Sequence, residues 1–206
     1  MGLLLTPTSK IIPAQRLQAL TQIPRPQTKR ELLSVLVLLN VFRIWVPNFA
    51  LHPKPLYQAT WGNLDESLLA PTSLHTPNES LTKNLLQVPS LYLPDYIKPF
   101  FLFVHSWQGH ALRILCQERD IWGPLAYLSK QLDLIMLRWP PCLQGLATIT
   151  LLIPEAQKLT WNAPLNVCSP HSFKHLFSHQ AFLSLTRLTT DPPHTPPWPI
   201  PFFYAL

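Results

Sequence analysis

Hydrophobic runs alternate with turn residues between positions 91 and 130. Runs of β-favouring residues bounded by turn signals are typical of strands. The pattern predicts an antiparallel meander with strands at Pro99–Val104, Ala111–Cys116 and Leu125–Leu128, joined by turns at Gln108-Gly109 and Gly123-Pro124. We therefore expect a sheet to organise the second half of the chain.

Apolar residues take a helical spacing in the first fifty positions. A short helix is predicted at Pro13–Ala19, and a second begins at Thr28, because Thr28 and Glu31 have the spacing of a capping box. Apolar residues then recur every three or four positions, at Leu32, Val35, Leu36, Leu39 and Phe42. Pro47 is expected to end this helix, since proline cannot continue one.

A later helix is predicted to open at Trp139-Pro140-Pro141, because proline is well tolerated in a first turn. Its expected core stripe is Leu143, Leu146, Ile149 and Leu152. Pro154 should stop or kink it near Ile153, since an interior proline costs about 3 kcal/mol. The remaining predicted elements are a loop at Gly62–Thr72, a helix at His75–Pro89, a strand at Leu165–Cys168 and a helix at His171–His179.

Several separate motifs occur in one order along the chain. They are L-T-P-x-S from Leu5, P-R-P-x-T-K-R-E-L from Pro24, F-R-x-W-V-P-N-F from Phe42, P-D-x-x-K-P-F from Pro94 and P-x-A-Y-L-S-K from Pro124. Together they resemble the thumb and connection regions of gammaretroviral reverse transcriptases, as in an endogenous retroviral Pol fragment. The resemblance implies that the catalytic palm would lie before residue 1.

The resemblance implies an α+β fold, in which an N-terminal helical thumb-like segment is followed by an RNase H-like mixed sheet with flanking helices. The expected divisions are a thumb-like segment at 1–60, a linker and helix at 61–90, a degenerate connection domain at 91–188 and a proline-rich disordered tail at 189–206. In the family the thumb helix lies along the minor groove of a duplex. Small residues usually stand where this chain has Val37 and Asn40, and Val37 leaves the helix apolar almost all round.

Composition limits the function classes. The 206 residues include 24 prolines and 16 basic against 10 acidic residues, a net charge of +6 that permits a nucleic-acid partner without requiring one. Three scattered cysteines, Cys116, Cys142 and Cys168, define no disulfide framework. We predict no signal peptide and no membrane segment, so an intracellular location is the default expectation, with no membrane or small-molecule partner.

An RNase H site needs a cluster of carboxylates that holds two metal ions. The resemblance puts His105 where active relatives have the first aspartate, Cys142 or Gln144 near the helix glutamate, and Cys168 to Pro170 near the later aspartate. None of these residues is a carboxylate. We therefore predict a non-catalytic protein, without a cofactor, although the family that it resembles is that of RNA-directed DNA polymerases with RNase H.

Two sets of residues are candidates for binding. Lys29, Arg30 and Arg43 could contact phosphates of an RNA–DNA hybrid if the thumb resemblance extends to function, with weak affinity expected. His171, His175 and His179 would share one helix face at a spacing that metal ligands use, but no carboxylate stands nearby, so a solvent-facing stripe is favoured over a metal site.

Three alternatives to an inert remnant stay open. The first is a weak hybrid-binding module and the second a residual RNase H-type nuclease. The third is an interaction protein that uses exposed apolar surface.

Overall fold

The computed structural model describes residues 3–68, 90–119 and 122–169 and the backbone of 186–189. The chain forms two compact units, Met1–Leu91 and Tyr92–Leu206. A short strand, β3 (Leu91–Tyr92), spans the boundary between them in sequence. The predicted helices at 75–89 and 171–179 and residues 190–206 of the predicted tail lie outside the described residues.

The N-terminal unit is mainly helical. Strands β1 (Leu4–Leu5) and β2 (Ser9–Ile11) pair antiparallel, and helices α1 (Ala14–Thr21), α2 (Lys29–Asn40) and α3 (Lys54–Ala59) follow, with a 3₁₀ turn at Phe49–Leu51. One face of α2 is apolar and packs Leu32 and Leu36 against Leu56 of α3, each about 1% exposed. Burying a leucine side chain contributes about 1.5–3 kcal/mol, so this contact anchors α2.

The predicted capping box forms in part at the start of α2, since Glu31 bonds the amide of Gln27 and not that of the N-cap residue Thr28. The Oγ1 atom of Thr28 accepts a hydrogen bond from the Glu31 amide at 3.2 Å, and the Glu31 carboxylate accepts one from the Gln27 amide at 2.7 Å. The predicted end at Pro47 was wrong, because the α-helix stops at Asn40 and turns occupy 41–45. The last apolar positions of the pattern, including buried Phe42, therefore pack from turns.

The C-terminal unit contains a mixed five-stranded sheet, as the resemblance implied. Its strands are β4 (Phe100–Trp107), β5 (His110–Glu118), β6 (Trp122–Gln131), β7 (Leu165–Cys168) and β8 (Thr186–Thr189), in the order β6-β5-β4-β7-β8. The β4–β5–β6 meander is antiparallel, whereas β7 and β8 run parallel to β4. Gln108 and Gly109 both have positive φ, which is the geometry of a tight hairpin turn and confirms the first predicted turn.

The second predicted turn was wrong. Gly123 and Pro124 lie inside β6, where a bulge shifts the register between Leu115 and Cys116 of the neighbouring strand. Proline is tolerated at the edge of a sheet and at bulges because no ladder hydrogen bond needs its missing N–H. Gly123 and Pro124, which predicted a turn, are therefore part of an edge strand.

Helix α4 (Pro141–Thr160) packs on the sheet and continues through Pro154, which corrects the predicted end near Ile153. Leu152, Ile153 and Ala156 are buried on both sides of the proline. Their burial stabilises the helix by enough to offset the lost backbone hydrogen bond of about 3 kcal/mol. Leu143, predicted to be core, is 42% exposed.

A short 3₁₀ turn at Met136–Arg138 precedes α4. Among the described residues, every helix is too short or too polar to cross a membrane.

Candidate nucleic-acid interface

The backbone amides at the start of α2 already form hydrogen bonds with other groups of the chain. The amides of Lys29 and Arg30 donate to the carbonyls of Glu66 (3.1 Å) and Leu64 (2.9 Å), and Thr28 takes the next amide. Free amides at a helix start are what attract phosphate groups. Because these amides have partners, the start of α2 offers no backbone phosphate site.

The side chain of Lys29 also binds the segment at residues 61–66. Its Nζ atom donates to the carbonyl of Trp61 at 2.8 Å and forms an ion pair with Glu66, and its side chain is only 12% exposed. The ammonium group therefore fastens residues 61–66 to the helix. Its charge is largely neutralised by Glu66.

The other two candidates face solvent. Arg30 pairs with Asp65 at 2.9 Å, but both side chains are about two-thirds exposed, and such a pair stabilises by about 0–1 kcal/mol. Arg43 is exposed in the turns after α2 and forms no ion pair with any other described residue. Arg30 and Arg43 are thus the candidates whose charge a phosphate could meet.

The outer face of α2 carries exposed side chains larger than alanine. Val37 is 60% exposed, Val41 is 46% exposed and Asn40 is also exposed. Branched side chains hold another backbone away from the helix, whereas small residues permit close approach. The bulk at Val37 and Asn40 stands on the face that the resemblance assigns to a duplex.

The positions that resemble the nuclease site hold no carboxylate. His105 lies on β4 opposite Leu112 and is half-buried, while Cys142 is exposed in the first turn of α4. Gln144 donates its Nε2 to the carbonyls of Leu137 (3.1 Å) and Trp139 (3.0 Å), which closes the turn before α4. Cys168 is buried on β7, next to Phe103 of β4.

Two aspartates of this unit form hydrogen bonds within turns instead. The Oδ1 atoms of Asp95 and Asp133 accept hydrogen bonds from the amides of Ile97 (3.1 Å) and Ile135 (3.3 Å). Throughout the described part of the chain, no three His, Cys, Asp or Glu side chains lie close enough to share a metal ion. The predicted histidine stripe of His171, His175 and His179 falls outside that part.

Burial keeps the thiol and phenol of the sheet neutral. Desolvation, and then repulsion from Cys168, raises the pKa of the Cys116 thiol. Desolvation, and then Cys116, raises the pKa of Tyr127 to about 12. Neither group is a nucleophile or base at neutral pH, since a thiolate is the reactive form of cysteine.

Arg113 is the residue that sequence reasoning missed. It lies on strand β5, 2% exposed, between Val104 and Leu128, and its guanidinium nitrogens have no hydrogen-bond partner among the described residues. Burial lowers its pKa to about 8, and attraction to Glu155 of α4 opposes that shift. A single arginine in an apolar run gives no sequence signal for this burial.

The chain resembles segments of curated viral proteins. It is 38% identical over 194 residues to the Gag-Pol polyprotein of Avian reticuloendotheliosis virus, which covers 90% of this chain and 17% of that protein. It is 35% identical over 182 residues to the Pol polyprotein of Feline endogenous virus ECE1, which covers 84% of this chain and 16% of that protein. It also matches the Gag-Pol polyprotein of Baboon endogenous virus (strain M7), at 37% identity over 84% of this chain and 10% of that protein.

The chain thus spans less than a fifth of the length of these relatives. No family model matches it.

Solved structures share its fold. A foamy viral protease-reverse transcriptase in complex with double-stranded DNA superposes with a TM-score of 0.79 at 21% identity, over 94% of this chain and 38% of that one. The corresponding complex with RNA/DNA hybrid gives a TM-score of 0.77 at 20% identity, over 97% of this chain and 30% of that one. At such identities the likeness shows a common fold.

Proposed function

This chain is related to one segment of retroviral Pol polyproteins, in their reverse transcriptase region, and we propose that it is a non-catalytic form of that segment. The observation that supports the proposal is that the positions where the resemblance expects carboxylates hold none: they are His105 on β4, Cys142 or Gln144 on α4, and Cys168 to Pro170 from the end of β7 onward. The inference concerns hydrolysis of RNA in an RNA–DNA hybrid.

Metal chemistry supports this proposal. Phosphodiester hydrolysis by two metal ions needs several oxygen ligands at one place, since the ions must both activate water and stabilise the leaving oxygen. An RNase H-like fold that lacks these oxygen ligands cannot hold the two metal ions, and the fold alone does not confer the activity. Asp95 and Asp133 are committed to turns, and Gln144 is committed to two carbonyls.

A hydrolysis assay tests the proposal. The full chain is incubated with a labelled RNA–DNA hybrid in magnesium and, separately, in manganese. We expect cleavage no faster than in a heat-denatured sample. Cleavage that chelation stops, and that Asp95→Asn or Glu118→Gln reduces, would show that carboxylates of this chain hold metal and would overturn the proposal.

A second function, weak binding of an RNA–DNA hybrid by the N-terminal unit, is favoured by the exposed arginines. Arg30 and Arg43 are the exposed members of the predicted set, and the unit holds eight basic against four acidic residues. Attraction between such side chains and phosphates supplies most non-specific affinity. The exposed bulk of Val37 and Asn40 argues for weak rather than close binding.

A salt series measures the number of phosphates contacted. Each contact contributes about 0.9 to the slope of log K against log salt, so two arginines predict a slope near −2. Anisotropy of a labelled hybrid should give that slope for the wild type and a nearly flat line for Arg30→Gln/Arg43→Gln. Arg138→Gln, an exposed arginine of the other unit, is the matched control and should leave the slope unchanged.

A flat response in the wild type would reject hybrid binding while leaving the non-catalytic proposal intact. An equal loss of slope in Arg138→Gln would reject the assignment of binding to the N-terminal unit.

A further inference from the structure

An exposed tryptophan ends α4. Trp161 is 81% exposed and has a left-handed backbone (φ 52°), followed by Asn162 in the same conformation (φ 58°). Glycine usually occupies such a position after a helix, because a side chain there is strained. The chain thus holds an indole ring in solvent at a position where a smaller residue would be more stable, and such strain suggests a role for the ring.

A second aromatic ring stands beside it on a rigid support. The ring centroid of Tyr96 lies 6.0 Å from that of Trp161 and 5.9 Å from that of buried Phe100. The turn that carries Tyr96 is fixed by Gln117, which is fully buried, exchanges two hydrogen bonds with the backbone of Asp95 and donates a third to the Lys98 carbonyl. The Tyr96 ring is therefore held in place before any ligand arrives, and the Trp161 ring lies beside it.

A shallow cavity of about 510 Å³, largely open to solvent, adjoins the indole ring. It is lined by Pro154, Gln157, Lys158, Trp161 and Asn162. The proline and the indole supply apolar surfaces, and the two amide side chains can donate to carbonyl groups. We call Tyr96 and these five residues the Trp161 groove.

We propose that the Trp161 groove binds the proline-rich segment at residues 191–206 of this chain. Proline-rich segments dock in aromatic-lined grooves, because polyproline II helices present rings and unpaired carbonyls and are already ordered. The segment DPPHTPPWPIPFFYAL holds six prolines and two P-x-x-P spacings. Indole, proline and amide surfaces match that chemistry.

Charge favours this occupant over a nucleic acid. Lys158, the one cation among the described residues that line the cavity, pairs with Glu155 at 3.1 Å, so these residues lack the excess of positive charge that nucleic acids need. The segment carries one acidic residue, Asp191, and no lysine or arginine. A nearly neutral groove and a nearly neutral segment can meet without a large cost of desolvating charge.

The segment at residues 191–206 is long enough to reach the Trp161 groove. Strand β8 ends at Thr189, which lies beside Cys168 at the end of β7, and Cys168 follows Trp161 by seven positions. Seven extended residues and one strand spacing span at most about 30 Å, whereas sixteen residues of polyproline II span about 50 Å. Attachment to the same chain gives the segment an effective concentration of about 1 mM, so even a weak site would be filled.

Proteolysis of the full chain tests the proposal. Chymotrypsin cleaves after Phe202, Phe203 and Tyr204, and mass spectrometry measures how fast those bonds are cut. If docking has a Kd near 0.1 mM, it should slow cleavage about tenfold. Trp161→Gly should restore fast cleavage, and glycine suits the left-handed position, so the helix end is kept.

Trp61→Ala is the matched control, since Trp61 is 75% exposed in the other unit. It should leave the cleavage rate unchanged. Tyr96→Ala provides a second loss variant in case Trp161→Gly perturbs folding. Equal cleavage rates in the wild type and in both groove variants would overturn the proposal.

A peptide assay separates this proposal from nucleic-acid binding. A labelled peptide of residues 191–206 is titrated into the full chain carrying Pro193→Ser/Pro196→Ser/Pro197→Ser, which frees the groove. Binding that Trp161→Gly abolishes and Trp61→Ala preserves supports the proposal. Absence of binding, or displacement of the peptide by single-stranded oligothymidylate at lower concentration than by unlabelled peptide, contradicts it. Neither result depends on the proposed hybrid binding.

Discussion

The two units place their positive charge differently. The N-terminal unit has eight basic and four acidic residues, with Arg30 and Arg43 in solvent, whereas the C-terminal unit has eight and six and buries Arg113 inside its sheet layer. Net charge alone therefore says little about what a unit can bind. What matters is whether each cation reaches solvent, pairs with a carboxylate as Lys29 does, or is enclosed.

The largest effect should come from the core of the sheet. Leu102 on β4 is fully buried, so Leu102→Ala should lower the free energy of unfolding by about 2–5 kcal/mol, from lost burial and the cavity left behind. Leu134→Ala, at a residue 75% exposed in the same unit, should change it by less than about 0.5 kcal/mol. Urea unfolding measures both, and similar losses in the two variants would contradict the described packing of β4.

Most core substitutions lower the free energy of unfolding, but substitution of Arg113 should raise it. Arg113→Leu removes a buried guanidinium that lies between Val104 and Leu128, while Glu155 keeps its contact with Lys158. Replacing buried charge with a well-packed apolar side chain is often stabilising, by about 1–4 kcal/mol. Urea unfolding should show a higher midpoint with an unchanged slope. A loss of stability would instead mean that Arg113 has a partner beyond the described residues.

The fold was largely predictable where local signals agreed with burial. Gln108-Gly109 fixes the first hairpin through two positive φ angles, and Leu165–Cys168 was predicted with its observed bounds. Pro154 and Pro124 misled, because burial around α4 and a bulge on an edge strand overrode their local preferences.

The candidate site was less predictable. The pairing of Lys29 with Glu66 joins residues 37 positions apart, and the burial of Arg113 depends on what packs above β5, so neither leaves a local pattern.

Alkaline pH should act on the sheet unit through Cys116. Burial raises the pKa of this thiol above its unfolded value of about 8.5, so above that pH the unfolded chain loses a proton that the folded chain keeps. Stability from this group is therefore full below about pH 8 and falls above it, by about 2 kcal/mol at pH 10.

Cys116→Ala should remove this part of the pH dependence. The matched control, Cys142→Ala at an exposed cysteine, should keep it. Unfolding curves at pH 7, 8, 9 and 10 measure the effect, and parallel curves for Cys116→Ala and wild type would contradict it.

The two ion pairs of α2 differ in role. Lys29 stabilises the fold, whereas Arg30 is exposed and its charge can contact a phosphate. Lys29→Gln breaks a contact that is 12% exposed on the lysine side and should cost about 1 kcal/mol, whereas Arg30→Gln breaks an exposed pair and should cost less than about 0.5 kcal/mol. For hybrid binding the order reverses, since Arg30 faces solvent. Denaturation and salt titration of both variants check the two orders, and a larger loss of salt slope in Lys29→Gln would overturn the assignment.

The smallest predicted effect bears most directly on how α2 would meet a duplex. Val37 and Asn40 are exposed on α2, and side chains larger than alanine would hold a duplex backbone farther from the helix. Val37→Ala/Asn40→Ala should therefore raise hybrid affinity about threefold, which is under 1 kcal/mol, while stability changes by less than that because alanine favours helices. The same change at Leu134, in the other unit, should leave affinity unaltered. If the paired substitution left affinity unaltered as well, any binding by the N-terminal unit would rest on its arginines alone, because a duplex that never touches the helix face cannot respond to the size of its side chains.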